Sequence, residues 1–310
     1  MAEKAQAGDE DDAALCPDLD HALRQSAAGQ MAGATEQPAG PSNLTPTLFK
    51  RLFPRPYLER FLAESVRPDG RPAGNQAPQA DVWRDASANI GSVSTAPSSA
   101  LVRLGKTSVV CGVTLEIAPP DLARPHEGFI DEAQVLSSRL RDILISSNVL
   151  PLSSLVVEPG KAAWVVYIDV VCLNYDGGVL DAAVLAAVGA LKNLVFPEAA
   201  FDVDENQAIC ERVSTEHPGT RIPAASEPYS VSFGIFQGQV LPDPTLFESQ
   251  LCSTELTVVL GAPASGASAS KAPLINVYQA GAPLDNPRET LTACIAMARR
   301  RADELRKIVA

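Results

Sequence analysis

The chain has 310 residues, 25 basic and 37 acidic, a formal net charge of −12 and 46% hydrophobic residues. The length suits one large or two modest domains, the apolar content excludes wholesale disorder, and the acidic balance argues against a lone protein that wraps nucleic acid by bulk electrostatics. The charge is uneven: residues 1–40 carry net −6, 41–71 net +3, 72–298 net −12 and 299–310 net +3, so a basic segment stands at each end of an acidic body.

Residues 1–44, rich in Ala, Gly, Asp, Glu and Gln with no apolar period, are expected to form a disordered acidic tail. Folded structure is expected from Leu48. Phe49, Leu52, Leu58, Phe61 and Leu62 recur at helical spacing, with Pro54 and Pro56 as breaks and Lys50, Arg51, Arg55 and Arg60 as a basic face. The charged turn Arg67-Pro68-Asp69-Gly70-Arg71 follows. Residues 88–93, 101–104 and 108–117 read as strands, the last two joined through Gly105 and Lys106.

Residues 131–147 predict a helix with Ala133, Val135, Leu136, Leu140, Ile143 and Leu144 on its buried side. Residues 164–173 form a β-branched run that predicts a strand buried on both faces. After the turn Asp176-Gly177-Gly178, residues 180–195 predict an apolar helix sandwiched within the fold. Residues 198–227 read as irregular. A second strand set is expected at 229–236, 239–241, 256–260 and 274–278, with a turn at Gln237-Gly238 and a flexible Gly/Ala/Ser tip at 261–270. The closing helix has the clearest signals. Asn286 suits the N-cap, Pro287 the first turn and Glu289 a capping box, and Leu291, Ile295, Ala298, Ala302, Leu305 and Val309 line one face. Five cations crowd its end, where they suit the helix dipole. The layout is α+β, with an N-terminal half over about 45–197 and a C-terminal half over about 228–310.

Six cysteines, at 16, 111, 172, 210, 252 and 294, make no CxxC and read as reduced thiols. His21, His126 and His217 show no metal-ligand spacing, and no metal or cofactor is expected. The N-terminus lacks a basic n-region and apolar h-region, and no apolar run reaches a membrane-spanning ~18–20 residues. The chain therefore reads as soluble and intracellular, with no membrane partner.

Three runs carry a resemblance: Ser65-Val66-Arg67-Pro68-Asp69-Gly70-Arg71, then Asn89-Ile90-Gly91-Ser92-Val93-Ser94-Thr95-Ala96, then Ser99-Ala100-Leu101-Val102-Arg103-Leu104-Gly105-Lys106-Thr107. Together they resemble the opening of a ribonuclease PH-type domain. Pro159-Gly160-Lys161-Ala162-Ala163-Trp164 through Asp169, Cys172 and Leu173, and then Asp176-Gly177-Gly178 to Leu180-Asp181-Ala182-Ala183, resemble one branch of that family, the ring subunits of the eukaryotic RNA exosome. The match runs from about residue 47 to 310 and is weakest across 198–230 and 261–285. The resemblance implies a ribonuclease PH-like fold of two βαβ-like halves. It also implies partnership with other ribonuclease PH-like subunits in a six-membered ring, RNA-binding cap subunits, and single-stranded RNA passing through the assembled channel. Nuclear, nucleolar and cytoplasmic locations follow, with roles in ribosomal RNA 3′-end maturation and in turnover of messenger and non-coding RNA.

Active relatives are phosphorolytic, with inorganic phosphate attacking the 3′-terminal phosphodiester. They carry a Gly-Gly-Thr-Arg type run at the start of the helix after the central strand, where backbone N–H groups, a hydroxyl and a guanidinium converge on the phosphate. The corresponding run here is Gly177-Gly178-Val179-Leu180-Asp181, with aliphatic side chains in place of Thr and Arg. Asp181 is expected to cap the helix and to repel an incoming phosphate. Like charges ~4 Å apart cost on the order of 4 kcal/mol at an effective dielectric near 20. Glu255 falls near the position of a carboxylate that active relatives need, and reads mainly as a surface Glu at a strand start. The family also has a longer Pro- and Arg-containing loop before the helix at 131–147; here Gly128-Phe129-Ile130 is expected to lead almost directly into that helix.

Arg124, Arg139 and Arg141 are the candidates for RNA contact, weighed against a solvent face or a subunit interface. Arg67, Asp69 and Arg71 read as a structural turn pinning the first helix to the body, and Lys161 as a solvated strand-start residue. The leading reading is a non-catalytic ring subunit. A phosphorolytic 3′→5′ exoribonuclease and a stand-alone RNA-binding adaptor using its terminal basic segments are the alternatives.

Overall fold

The computed structural model describes residues 45–310 except 74–81, 120–128, 132–134, 203–206, 211, 212, 215, 216, 223, 225, 264–271 and 310. The expected tail, Arg124, His21 and His126, and most of the Gly/Ala/Ser tip lie outside the described residues. Two units are distinguished, Met1–Leu48 and Phe49–Ala310. Of the first, only 45–48 are described, and they begin helix α1. The second unit holds both sheets and the core.

Helices α1 (Pro46–Leu52) and α2 (Pro54–Ala63) are separated at Phe53, whose φ of −131° and ψ of 64° lie outside the helical region. The residue before a proline is pushed away from helical angles. Pro54 then starts α2, where a missing N–H loses nothing. The first sheet contains β1 (Ala86–Ile90), β2 (Ser98–Leu104), β3 (Thr107–Ala118), β4 (Phe129–Asp131), β5 (Val156–Glu158) and β6 (Ala162–Asn174). Its order is β1-β2-β3-β6-β4, with β5 also paired to β6. All of these pairs are antiparallel except β4 with β6. Helices α3 (Val135–Ser146) and α4 (Val179–Lys192) follow β4 and β6.

A hairpin, β7 (Ala199–Asp202) and β8 (Gln207–Cys210), leads to the second sheet. That sheet contains β9 (Ser226–Phe236), β10 (Gln239–Pro242), β11 (Thr254–Pro263) and β12 (Leu274–Gly281) in the order β10-β9-β11-β12, all antiparallel. Gln237 and Gly238 both have positive φ, 50° and 78°, as a tight two-residue hairpin requires. The one-turn helix α5 (Leu246–Ser249) follows β10, and α6 (Pro287–Val309) closes the chain.

Helix α4 packs against β2 and β3 of one sheet and β9 of the other. Every residue from Asp181 to Leu191 is buried. Alanines at 182, 183, 186, 187 and 190 let both sheets approach closely. Val184, Leu185, Val188 and Leu191 fill the space between them, each contributing about 1.5–3 kcal/mol relative to an exposed side chain. The closing helix buries Cys294, Ala298, Ala302, Leu305 and Val309 against β1, β9 and β11.

Three expectations change. The helix expected at 131–147 is described only from Val135, and Phe129–Asp131 forms a parallel strand on Val165–Tyr167 instead of running directly into it. The segment expected to be irregular at 198–227 contains the β7–β8 hairpin and the start of β9. The run 164–173 is buried on both faces only in its first part. Ala162–Val166 are buried, whereas Val171 and Leu173 are 56% and 63% exposed. The physical reason is coverage: β4 and β5 pair only with residues 162, 163 and 165–167 of β6. Composition alone predicts burial for such a run; the short neighbours decide where it ends.

Candidate functional site

The turn at 67–71 lies against the β10–α5 connection, and its arginines reach across it. Arg67 is fully buried. Its Nε donates to Glu248 Oε1 at 2.8 Å, Nη1 to the Pro242 carbonyl at 2.7 Å and Nη2 to the Asp243 carbonyl at 3.2 Å, while Nη2 also pairs with Glu248 Oε2. Glu248 in turn accepts from the Thr245 N–H at 2.9 Å and hydroxyl at 3.0 Å, completing a capping box on α5. Arg71 donates to Asp69 Oδ2 at 2.6 Å and to the carbonyls of Val82 and Asp243 at 2.9 and 3.0 Å. Burial and the like charge of Arg67 pull the Arg71 pKa below its usual value.

A second buried arginine meets the Gly-Gly turn. Arg84 Nη2 and Nε donate to Asp243 Oδ1 and Oδ2 at 2.5 and 3.0 Å. Nη1 also donates to the Asp176 carbonyl at 2.6 Å and Nη2 to the Gly177 carbonyl at 3.2 Å. The Thr107 hydroxyl donates to the Gly177 carbonyl at 2.7 Å. Burial works to raise the Asp243 pKa, but hydrogen bonds and charge from Arg84 outweigh it and hold the carboxyl below the usual range. The same pairing raises the Arg84 pKa against the opposing effect of burial.

This packing explains the two glycines. Gly177 and Gly178 have φ of 79° and 66°, in the left-handed region where a side chain is disfavoured. A Cβ on Gly177 would lie 2.6 Å from the Pro244 carbonyl oxygen, and one on Gly178 would lie 2.7 Å from Arg84 Nη2. The space over the turn at the start of α4 is therefore filled by the chain's own ion pair and the 243–246 backbone. Val179 and Leu180 pack against the core.

Asp181 behaves differently from the expectation. It does not cap its own helix: Gly178 occupies the N-cap without a side-chain cap bond. The carboxylate instead accepts from the Ser230 hydroxyl at 2.7 Å, the Ser232 N–H at 2.8 Å and the Ser232 hydroxyl at 3.1 Å. Tertiary contact with β9 supplies more donors than the helix terminus does. Burial, only partly offset by the serine bonds, raises its pKa to about 6.

Beside this network is a cavity of about 430 Å³ lined by Asp69, Arg71, Arg84, Asp85, Lys106 and Asp176, among others. Three cations face three carboxylates there, so the lining offers no excess positive charge to an anion. Glu255 is exposed on β11 and accepts from the Ser249 hydroxyl. Arg139 and Arg141 are exposed on α3, and the Arg139 guanidinium lies 5.4 Å from the Tyr278 ring centroid. Lys161 lies over the Phe201 ring at 5.1 Å. The structure thus brings Arg67, Asp69, Arg71 and the Gly-Gly turn to one locus and leaves Glu255, Arg139 and Arg141 outside the network. Among the described residues no group of His, Cys, Asp or Glu could hold a metal ion, and no helix is long and apolar enough to cross a membrane.

Sequence reasoning missed Arg84, Thr107, Asp243 and Glu248. One local signal was available: Thr245 three residues before Glu248 has the capping-box spacing. Arg84 and Asp243 carry no local signal, being 159 residues apart.

Residues 83–197 match domain 1 of the 3′ exoribonuclease family, RNase PH, and residues 227–301 match domain 2. The exosome complex component rrp43 of Schizosaccharomyces pombe is 35% identical over 70% of this chain and 84% of its own length. The chain belongs to the RNase PH family. Within it, the exosome complex component Rrp42 of Methanopyrus kandleri is 29% identical over 73% of this chain and 87% of its own. Among solved structures, a chain of an Archaeoglobus fulgidus exosome with RNA bound to the active site superposes with a TM-score of 0.64. The identity is 25%, over 82% of this chain and 96% of that one. The two matched domains supply the two sheets, and the Arg84–Asp243 pair joins them, while Arg67, which pairs with Glu248 of the second, precedes both.

Proposed function

We propose that this chain is a non-catalytic structural subunit of an RNA exosome core ring, supporting 3′→5′ RNA processing and decay. The observation that carries the absence of catalysis is the Gly177–Asp181 turn. Its phosphate-facing hydroxyl and guanidinium are replaced by Val179 and Leu180, and the space above it is filled by Arg84 and Asp243. A phosphate entering there would have to displace a buried ion pair, and breaking such a pair costs ~3–5 kcal/mol. The names of the similar proteins, exosome components from a yeast and from archaea, support ring membership.

Val171, Leu173 and Tyr175 form an exposed apolar stretch at the end of β6, the kind of surface a neighbouring RNase PH-like subunit would cover. Arg139 and Arg141 are proposed to face RNA in the assembled channel. The Arg67–Asp69–Arg71 turn is proposed as structural, locking the two halves together. With this role the protein would act in nucleus, nucleolus and cytoplasm, with cap subunits as further partners.

Size-exclusion chromatography with candidate ring partners tests the assembly: co-elution is expected, and loss of co-elution on Val171→Asp/Leu173→Asp with an unchanged melting temperature. A stable monomer that ignores those partners contradicts the ring. Incubation of the purified chain with a single-stranded RNA and inorganic phosphate tests the chemistry. No release of nucleoside diphosphates is expected, and a phosphate-dependent release lost in Glu255→Gln contradicts the assignment.

A further inference from the structure

The basic segment near the start of the folded chain takes no part in the network above. Lys50, Arg51, Arg55 and Arg60 lie within α1 and α2, and none of the four forms an ion pair among the described residues. Three of them lean on aromatic rings instead. Lys50 Nζ is 4.2 Å from the Phe247 ring centroid, Arg60 Cζ is 4.8 Å from that of Phe49, and Arg55 Cζ is 5.8 Å from that of Phe236. The rings are themselves contiguous: Phe53 to Phe49 is 5.6 Å, Phe49 to Tyr57 is 6.2 Å and Tyr57 to Phe247 is 6.0 Å. Phe53, at one end of this row, is 46% exposed. One nearby carboxylate is engaged, Glu59 accepting from Gln237 Nε2 at 2.7 Å.

We infer that this face of α1 and α2 binds single-stranded RNA, at a surface distinct from the Gly177–Asp181 turn. A guanidinium stacked by one face on a ring keeps its in-plane N–H donors for a phosphate, and the stack limits the rotamer freedom lost on binding. The exposed Phe53 ring offers a platform for a base. Charge complementarity is local: residues 49–64 carry four cations and two acids, against a body of net −12 over 72–298. An acidic peptide would match the charge but would bring no flat partner for Phe53, so RNA is the favoured occupant. The inference does not depend on ring membership.

The test is fluorescence anisotropy of an end-labelled oligouridylate of about a dozen nucleotides with the full chain, free or in complex with ring partners, across roughly 50–200 mM salt. Replacing all four cations by glutamine should weaken binding and make the log–log salt slope shallower by about 3, since each single-strand phosphate contact adds about 0.7. Arg51 touches no ring, so Arg51→Gln alone should remove about 0.7 of slope without disturbing packing. Phe53→Ala should weaken binding about tenfold with the slope unchanged. Unchanged affinity and slope in both the fourfold and Arg51→Gln variants overturns the inference. Equal competition by polyglutamate and RNA also overturns it, in favour of an acidic protein partner. RNA binding of the expected kind by a chain that joins no ring leaves this inference standing and counts only against the ring.

Discussion

Replacing Arg67 by methionine tests whether the junction is an obligatory ion pair. Methionine keeps most of the stem volume and removes the guanidinium. Glu248 is then left fully buried with the Thr245 N–H and hydroxyl as hydrogen-bond donors and Arg71 Nη2, 3.7 Å away, as its remaining cation, and the Pro242 and Asp243 carbonyls lose the bonds at 2.7 and 3.2 Å. Removing one partner of a buried pair costs ~3–5 kcal/mol, because the other charge stays desolvated. Against a total of about 5–15 kcal/mol that is about a fifth of the stability or more. Arg67→Met/Glu248→Gln removes both charges of the pair, leaves Arg71 its ion pairs with Asp69 and Asp243, and keeps an acceptor for Thr245. It should recover ~2 kcal/mol of the single-variant loss. Asp69→Asn, at a carboxylate whose side chain is 29% exposed, should lose less than about 1 kcal/mol. Equilibrium urea unfolding followed by circular dichroism measures wild type, the single variant Glu248→Gln and these three variants. A loss below about 1 kcal/mol for Arg67→Met, or a double variant whose loss equals the sum of the singles, refutes the reasoning.

Asp181 has its pKa raised to about 6 in the folded chain, above the unfolded carboxyl value near ~3.9. Its folded state therefore binds the extra proton between about pH 4 and 6, and stability falls as pH rises through that window, by about 3 kcal/mol in total. The difference in unfolding free energy between wild type and Asp181→Asn should follow this fall and level off above about pH 6; a pH-independent difference contradicts it. Gly177→Ala places a Cβ 2.6 Å from a backbone oxygen at φ +79°, whereas Gly70→Ala, at φ +89°, meets nothing within 4 Å. The first should lower the melting temperature clearly more than the second, whose loss should be about 1 kcal/mol from backbone strain alone; equal losses would show that the 243–246 backbone yields freely.

Helix α6 was legible because its proline at the first position and its three-to-four-residue apolar step act within a few residues. The same holds for the Gly105 and Gln237-Gly238 turns, where backbone angles depend on the local side chains. The β7–β8 hairpin was not legible, since its strands have no strong period-2 pattern and Asp204-Glu205-Asn206 between them are polar. Cys294 and Arg301 also escaped the helical-face reading. Arg301 is buried because its Nη2 donates to the Arg84 carbonyl at 2.8 Å and its guanidinium lies 5.4 Å from the Trp83 ring centroid, partners that no spacing rule supplies.

By itself the sequence determined that a Gly-Gly turn opens the central helix and that no Thr-Arg pair follows it, because both are matters of residue identity in one short stretch. Only the tertiary structure decided what those residues face. Arg84 and Asp243 come from opposite halves to fill the turn, and Asp181 turns from its own helix to the serines of β9. The reason is physical: a buried charge takes whichever donors or acceptors the packed elements place around it, and those are set by contacts between strands and helices far apart in the chain.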